Sequence, residues 1–107
     1  PRRMHVHVPS IDANNVPVPA SGEAESYLMG YEFQSKDPVF EMGNYRLNFK
    51  GRVSVPSVKN FQLVSPDAID VVICQFGKIG EDRFHLDYRA PLNAVQAFAL
   101  ALAQFNL

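Results

Sequence analysis

The last stretch of the chain, Pro91 to Phe105, reads PLNAVQAFALALAQF and constrains the fold more than any other segment. Alanine and leucine dominate it, no glycine interrupts it, and Pro91 suits the first helical position, so it predicts a helix over about 91–105. Such a helix is roughly 22 Å long. Its only polar members are Asn93, Gln96 and Gln104. A helix that is apolar on nearly every face must be covered on all sides or lie in a membrane, and this one is too short to span a bilayer, which takes about 20 apolar residues. The remaining residues must therefore wrap it, with Leu92, Val95, Phe98, Leu100 and Leu102 filling the interior.

The rest of the chain reads as strands. Met4, Val6 and Val8 alternate with Arg3, His5 and His7 until Pro9 stops the run. Residues 10–26 are rich in Pro, Asn and Ala and predict a loop. Tyr27–Phe33 is a second β-rich run. Tyr45, Leu47 and Phe49 share one face of a third, with Gly51 as a bulge before Arg52–Val55. Val58–Val64 and Asp70–Phe76 follow, divided by the turn Ser65-Pro66-Asp67. A loop over Gly77–Asp82 then precedes Arg83–Tyr88, where Phe84, Leu86 and Tyr88 alternate with polar residues. Six or seven short strands at about ten-residue spacing predict an antiparallel sandwich or barrel. The expected class is α+β, mainly β: an antiparallel sandwich or barrel whose sheet wraps a hydrophobic C-terminal helix.

Composition narrows the function. The 107 residues, 47% apolar and 20% charged, make one globular domain at most. Ten Lys plus Arg against eleven Asp plus Glu give a net charge of −1, unlike a protein held to nucleic acid by bulk charge. One cysteine, Cys74, excludes an internal disulfide and favours a reducing compartment. Cys74 lies in the apolar run Val71-Val72-Ile73-Cys74 and reads as a small core residue rather than a nucleophile. His5, His7 and His85 are the one conceivable metal set, and they lack a supporting Cys or carboxylate signature. Asp82 and Asp87 sit beside Arg83 and Arg89, as surface ion pairs do. No phosphate-binding glycine loop or nucleophile elbow occurs, so neither an enzyme nor a cofactor is expected. Two basic sets remain: Arg2 and Arg3 beside His5 and His7, and Arg46, Lys50, Arg52 and Lys59. Such groups either attract anions or decorate a solvated sheet.

The run Asn48 to Gln62, NFKGRVSVPSVKNFQ, closely resembles the signature of the tubby-like proteins. Gln75-Phe76-Gly77-Lys78-Ile79, Asp82-Arg83-Phe84 and Leu86-Asp87-Tyr88-Arg89 resemble a second block, and Pro91-Leu92, Gln96–Ala99 and Phe105 resemble the family's terminal signature. The resemblance covers residues 1–9 and about 36–107, departing at Pro56, where the family usually has alanine, and in the loop at 10–26. It implies that residues 1–107 are the C-terminal portion of one antiparallel closed β-barrel of twelve strands around the central hydrophobic C-terminal helix, the front half lying upstream. The absence of an initial methionine agrees with a piece of a longer chain. It also implies a phosphoinositide-binding, membrane-docking adaptor for phosphatidylinositol 4,5-bisphosphate, acting in ciliary trafficking or membrane-to-nucleus signalling. The expected location is cytoplasmic, at the inner face of the plasma membrane, with cilium and nucleus as further sites, and ciliary trafficking proteins would be met through the N-terminal region. The family's main headgroup ligands fall upstream. Here Arg2 and Arg3 are the positions that extend the lipid-binding surface, and Arg46, Lys50, Arg52 and Lys59 form a further basic surface. Two rival classes are a DNA-binding transcription regulator and a protein-interaction scaffold without lipid binding.

Overall fold

A computed structural model describes residues 3–9 and 30–105. The loop expected at 10–26, Arg2, and the start of the Tyr27–Phe33 run lie outside the described residues. Seven strands and one helix follow in order: β1 (His5–Pro9), β2 (Gly30–Ser35), β3 (Val39–Glu41), β4 (Asn44–Arg46), β5 (Phe61–Ser65), β6 (Ala68–Gly80), β7 (Arg83–Tyr88) and α1 (Ala94–Ala103). Five strands form one antiparallel sheet in the order β1-β2-β5-β6-β7. The other two, β3 and β4, make a separate hairpin.

The register sorts the side chains into two faces. Phe61 stands opposite Phe76, which stands opposite Leu86, and Leu63 opposite Cys74. These residues point to one side and, with Val8, Phe33 and Ile73, make the core under the helix. Leu63 and Cys74 are wholly buried. Each large apolar side chain so buried contributes about 1.5–3 kcal/mol. Phe76 stacks on Phe84 at 4.9 Å, and Phe105, just past the helix, meets both rings edge-on. Register shifts at Val64 and beyond Lys78 interrupt the ladders, and such bulges sharpen twist, curling the sheet into a half-barrel.

The helix differs from its sequence expectation in two ways. It begins at Ala94, not Pro91: Asn93 is the N-cap, its Oδ1 accepting from the Gln96 N–H at 2.8 Å while Gln96 Oε1 accepts from the Asn93 N–H at 3.0 Å. That reciprocal capping box satisfies two donors that Pro91 could not, and Pro91 sits before it after a cis peptide. More importantly, the helix is buried along one stripe only. Ala97 and Ala101 are covered, whereas Val95, Phe98 and Leu102 are 69%, 58% and 48% exposed. The half-barrel touches one side of the helix, so the closed barrel expected around it is not formed by these strands. The five-stranded sheet has two outer strands, β1 and β7.

The strand expected over Tyr45–Phe49 is shorter, ending at Arg46. Lys50 and Gly51, with φ of 52° and 81°, form a turn instead of a bulge, and Val55 makes a single bridge to Lys78. In contrast β6 runs straight through the loop expected at Gly77, reaching Gly80 before it turns at Glu81-Asp82.

Candidate functional site on the outer face

Gln62, Gln75 and Asp87 occupy opposed positions on β5, β6 and β7, one residue out of step with the core. They therefore line up across the outer face of the sheet. Gln62 Nε2 donates to Gln75 Oε1 at 2.9 Å and to the Asn48 carbonyl at 3.0 Å, and Gln75 Nε2 donates to Asp87 Oδ2 at 3.0 Å. Arg52 closes the row with a two-pronged contact, Nε to Oδ2 at 3.1 Å and Nη2 to Oδ1 at 2.9 Å. This fork is the geometry in which guanidinium and carboxylate bind best. It holds the Asp87 carboxyl below its usual range, assisted by Gln75 against partial burial, and raises the Arg52 guanidinium.

The segment 47–60 is laid over this face by its own bonds. Ser54 and Val55 N–H both donate to the Lys78 carbonyl, at 3.1 and 3.0 Å. Asn60 Nδ2 donates to the Val55 carbonyl, and Asn60 Oδ1 accepts from the Lys78 N–H, both at 2.9 Å. Val53 rests directly on Gly77, where a Cβ would meet its methyl groups at 2.2 and 2.5 Å. Gly77 is thus the flat place on β6 that admits the covering segment. Where the segment turns at Lys50–Gly51, a cleft of about 430 Å³ opens between Asn48, Phe49 and Lys50 on one side and Val72, Tyr88 and Arg89 on the other, with Gln62, Gln75 and Asp87 in its lining.

The expected basic residues do not converge. Arg2 lies outside the described residues, and Arg3 ion-pairs with Asp37. Arg46, Lys50, Arg52 and Lys59 were expected on neighbouring strands, but only Arg46 is in a strand. Arg52 is taken by Asp87, and Lys59 lies 5.5 Å above the Phe105 ring, towards the helix. Arg46 and Lys50 are exposed and have no carboxylate within ion-pair distance among the described residues. Of the four expected cations, these two are the ones left free to take an external anion.

Other candidates resolve into structural roles. Cys74 is inaccessible, its thiol pushed up to about 12 by burial and secondarily by Asp87, so it is a core residue. His5 and His7 lie on β1 and His85 on β7, the two outer strands, so they do not meet around a metal. His7 Nδ1 contacts Glu32 at 2.5 Å, and His85 Nδ1 the Arg52 carbonyl at 2.8 Å. Asp87 pairs with distant Arg52 rather than with its sequence neighbours. The amide row was not anticipated, although polar Gln62 and Gln75 interrupt otherwise apolar strands and mark a second face.

Comparison with known proteins places this architecture. The family model described as Tub matches residues 1–107 in full. Tubby-related protein 1 of Homo sapiens is 44% identical over 119 aligned residues, covering 99% of this chain and 22% of that protein. Tubby-related protein 3 of Mus musculus is 39% identical, and Protein king tubby 1 of Aedes aegypti 38%, each over 99% of this chain and over 26% and 29% of their own lengths. The chain therefore spans less than a third of these relatives. With the β-rich half-barrel, the C-terminal helix and a match along its whole length, the chain belongs to the Tub family.

Proposed function

We propose that this chain is the C-terminal part of a tubby-like domain that docks on membranes bearing phosphoinositides with adjacent 4- and 5-phosphates. The observation that carries the reading is the family match over residues 1–107. Upstream strands would pair with β1 and β7 and close the barrel over Val95, Phe98 and Leu102. Arg46 and Lys50 then extend a basic surface whose main ligands lie upstream. Binding is charge-assisted contact with phosphate oxygens and involves no chemistry. Each cation near an anionic surface is worth about 1 kcal/mol, so docking needs several together and weakens with salt. Such a module acts as an adaptor at the inner face of the plasma membrane and releases when the lipid is hydrolysed; ciliary trafficking and signalling to the nucleus are the roles that follow.

The scaffold reading draws on one observation: Arg3 and Arg52 already hold carboxylates. Co-sedimentation with phosphatidylinositol 4,5-bisphosphate vesicles, against phosphatidylserine vesicles of matched charge, decides between them. Selective pelleting, weakened by the double change Arg46→Glu and Lys50→Glu but not by Lys59→Glu, is the expected result. Folded chain that ignores both vesicle types would leave the scaffold reading standing.

A further inference from the structure

The hairpin β3–β4 stands outside the main sheet and carries an apolar tip that no described residue covers. Phe40 and Tyr45 are opposed in register and their rings pack at 5.1 Å, yet they remain 60% and 73% exposed. At the turn, Met42 is 90% exposed and holds φ at 51°, followed by Gly43 at 84°. A two-residue turn of this kind favours Asn or Asp before Gly, because other side chains are strained in the left-handed region. Methionine here is doubly unfavourable: its backbone is strained and its apolar side chain faces water.

From this we propose that the β3–β4 hairpin is a membrane-inserting finger, with Met42 entering the lipid interface first. Its residues are layered by depth. Met42 is at the tip, the Glu41–Asn44 pair comes next, the amphipathic Phe40–Tyr45 pair lies one pair further back, and Arg46 stands at the base opposite Val39, with Lys50, paired with no described carboxylate, four residues further on. Three residues of strand reach about 10 Å, comparable to the depth of about 5–10 Å at which apolar side chains seat in the headgroup boundary. Tyrosine favours that boundary, and a cation at the base meets anionic headgroups. Glu41, the hairpin's one carboxylate, lies with Asn44 on the face away from the aromatic pair. A protein pocket would take the same apolar tip, but it supplies no reason for the cations at the base. The proposal rests on the membrane-docking reading above and gives it a second, apolar anchor.

The chain has no tryptophan, so Met42→Trp installs a single reporter at the tip. In solution its emission should be that of a water-exposed indole. On adding phosphatidylcholine vesicles carrying phosphatidylserine and phosphatidylinositol 4,5-bisphosphate, the emission should shift to the blue and be quenched by lipids brominated on their acyl chains. Met42→Gly relieves the strained turn while removing the apolar tip, and should leave the fold intact but weaken vesicle binding about tenfold. Pelleting with unshifted emission would overturn the finger and spare the phosphoinositide reading. A blue shift on vesicles with or without the bisphosphate would keep the finger and remove headgroup selectivity. No pelleting on any vesicle would defeat both, and emission already blue before vesicles are added would show the tip covered by protein.

Discussion

Two parts of this molecule are equally apolar in sequence and differ in what covers them. Along β5 and β6, Gln62 and Gln75 interrupt apolar runs, and the fold buries one face under the helix while stacking the other into the row Gln62–Gln75–Asp87–Arg52. In the hairpin and on the outer side of α1, Phe40, Met42, Tyr45, Val95, Phe98 and Leu102 are all exposed. Hydrophobicity alone therefore does not locate the core. Burial needs a second element in place, and the difference between the regions lies in whether these residues supply it.

The largest expected effect probes the covered side. Leu63 is wholly buried between neighbouring strands, and Leu63→Ala should lower stability by about 2–5 kcal/mol, read from denaturant unfolding. A loss below about 1 kcal/mol would mean the site collapses freely and is not a packed core. Next comes Gly77→Ala, where the new Cβ meets Val53 at 2.2 Å and must push the segment 47–60 off the sheet. Overpacking of this sort costs about 1–3 kcal/mol. Trimming the opposing side chain in the pair Gly77→Ala with Val53→Ala should recover part of that loss. If it recovers nothing, the damage lies in β6 itself.

Much of the covered side was legible in the sequence. Arg83–Tyr88 alternates cleanly and is a strand over those same residues, and Met4, Val6 and Val8 marked β1 equally well. Each had the period of a half-buried strand and clear stops. Gly77 misled because glycine suggests a turn, whereas here it admits a close neighbour. Tyr45–Phe49 misled because alternation says nothing about a ladder partner, and past Arg46 none is found among the described residues. The family was legible in the run from Asn48 to Gln62; the site was less so. The pairing of Arg52 with Asp87 spans 35 positions and depends on the turn at Lys50, which no local pattern announces.

The helix offers the sharpest comparison between the two regions. Phe98 was expected in the core, where its loss costs about 3–5 kcal/mol. In this chain it is 58% exposed, so Phe98→Ala should change stability by less than about 1 kcal/mol. The same substitution in a longer chain carrying the upstream strands should approach the core value. The gap between the two measurements would report how much of the helix the upstream half covers, and equal values would dismiss barrel closure over that face.

The smallest effect tests the polar row by pH. The Arg52 fork holds the Asp87 carboxyl below its usual range, so folding binds this carboxylate more readily in its charged form. Its stabilisation is present above the ordinary carboxylate range and is lost as pH falls through the depressed folded-state value. Asp87→Asn should therefore flatten the acid limb of the stability curve and leave the curve near neutral pH only slightly lower, since Arg52 is half exposed and Asp87 only partly buried, so that solvent screens their attraction. Arg52→Gln should flatten the same limb, because Asp87 without its guanidinium returns towards ordinary titration. If the acid limb keeps its slope in both variants, the row is ornament on a sheet held by its other face, and the covering segment 47–60 is pinned by its other bonds, to Asn60, the Lys78 carbonyl, Gln62 and His85.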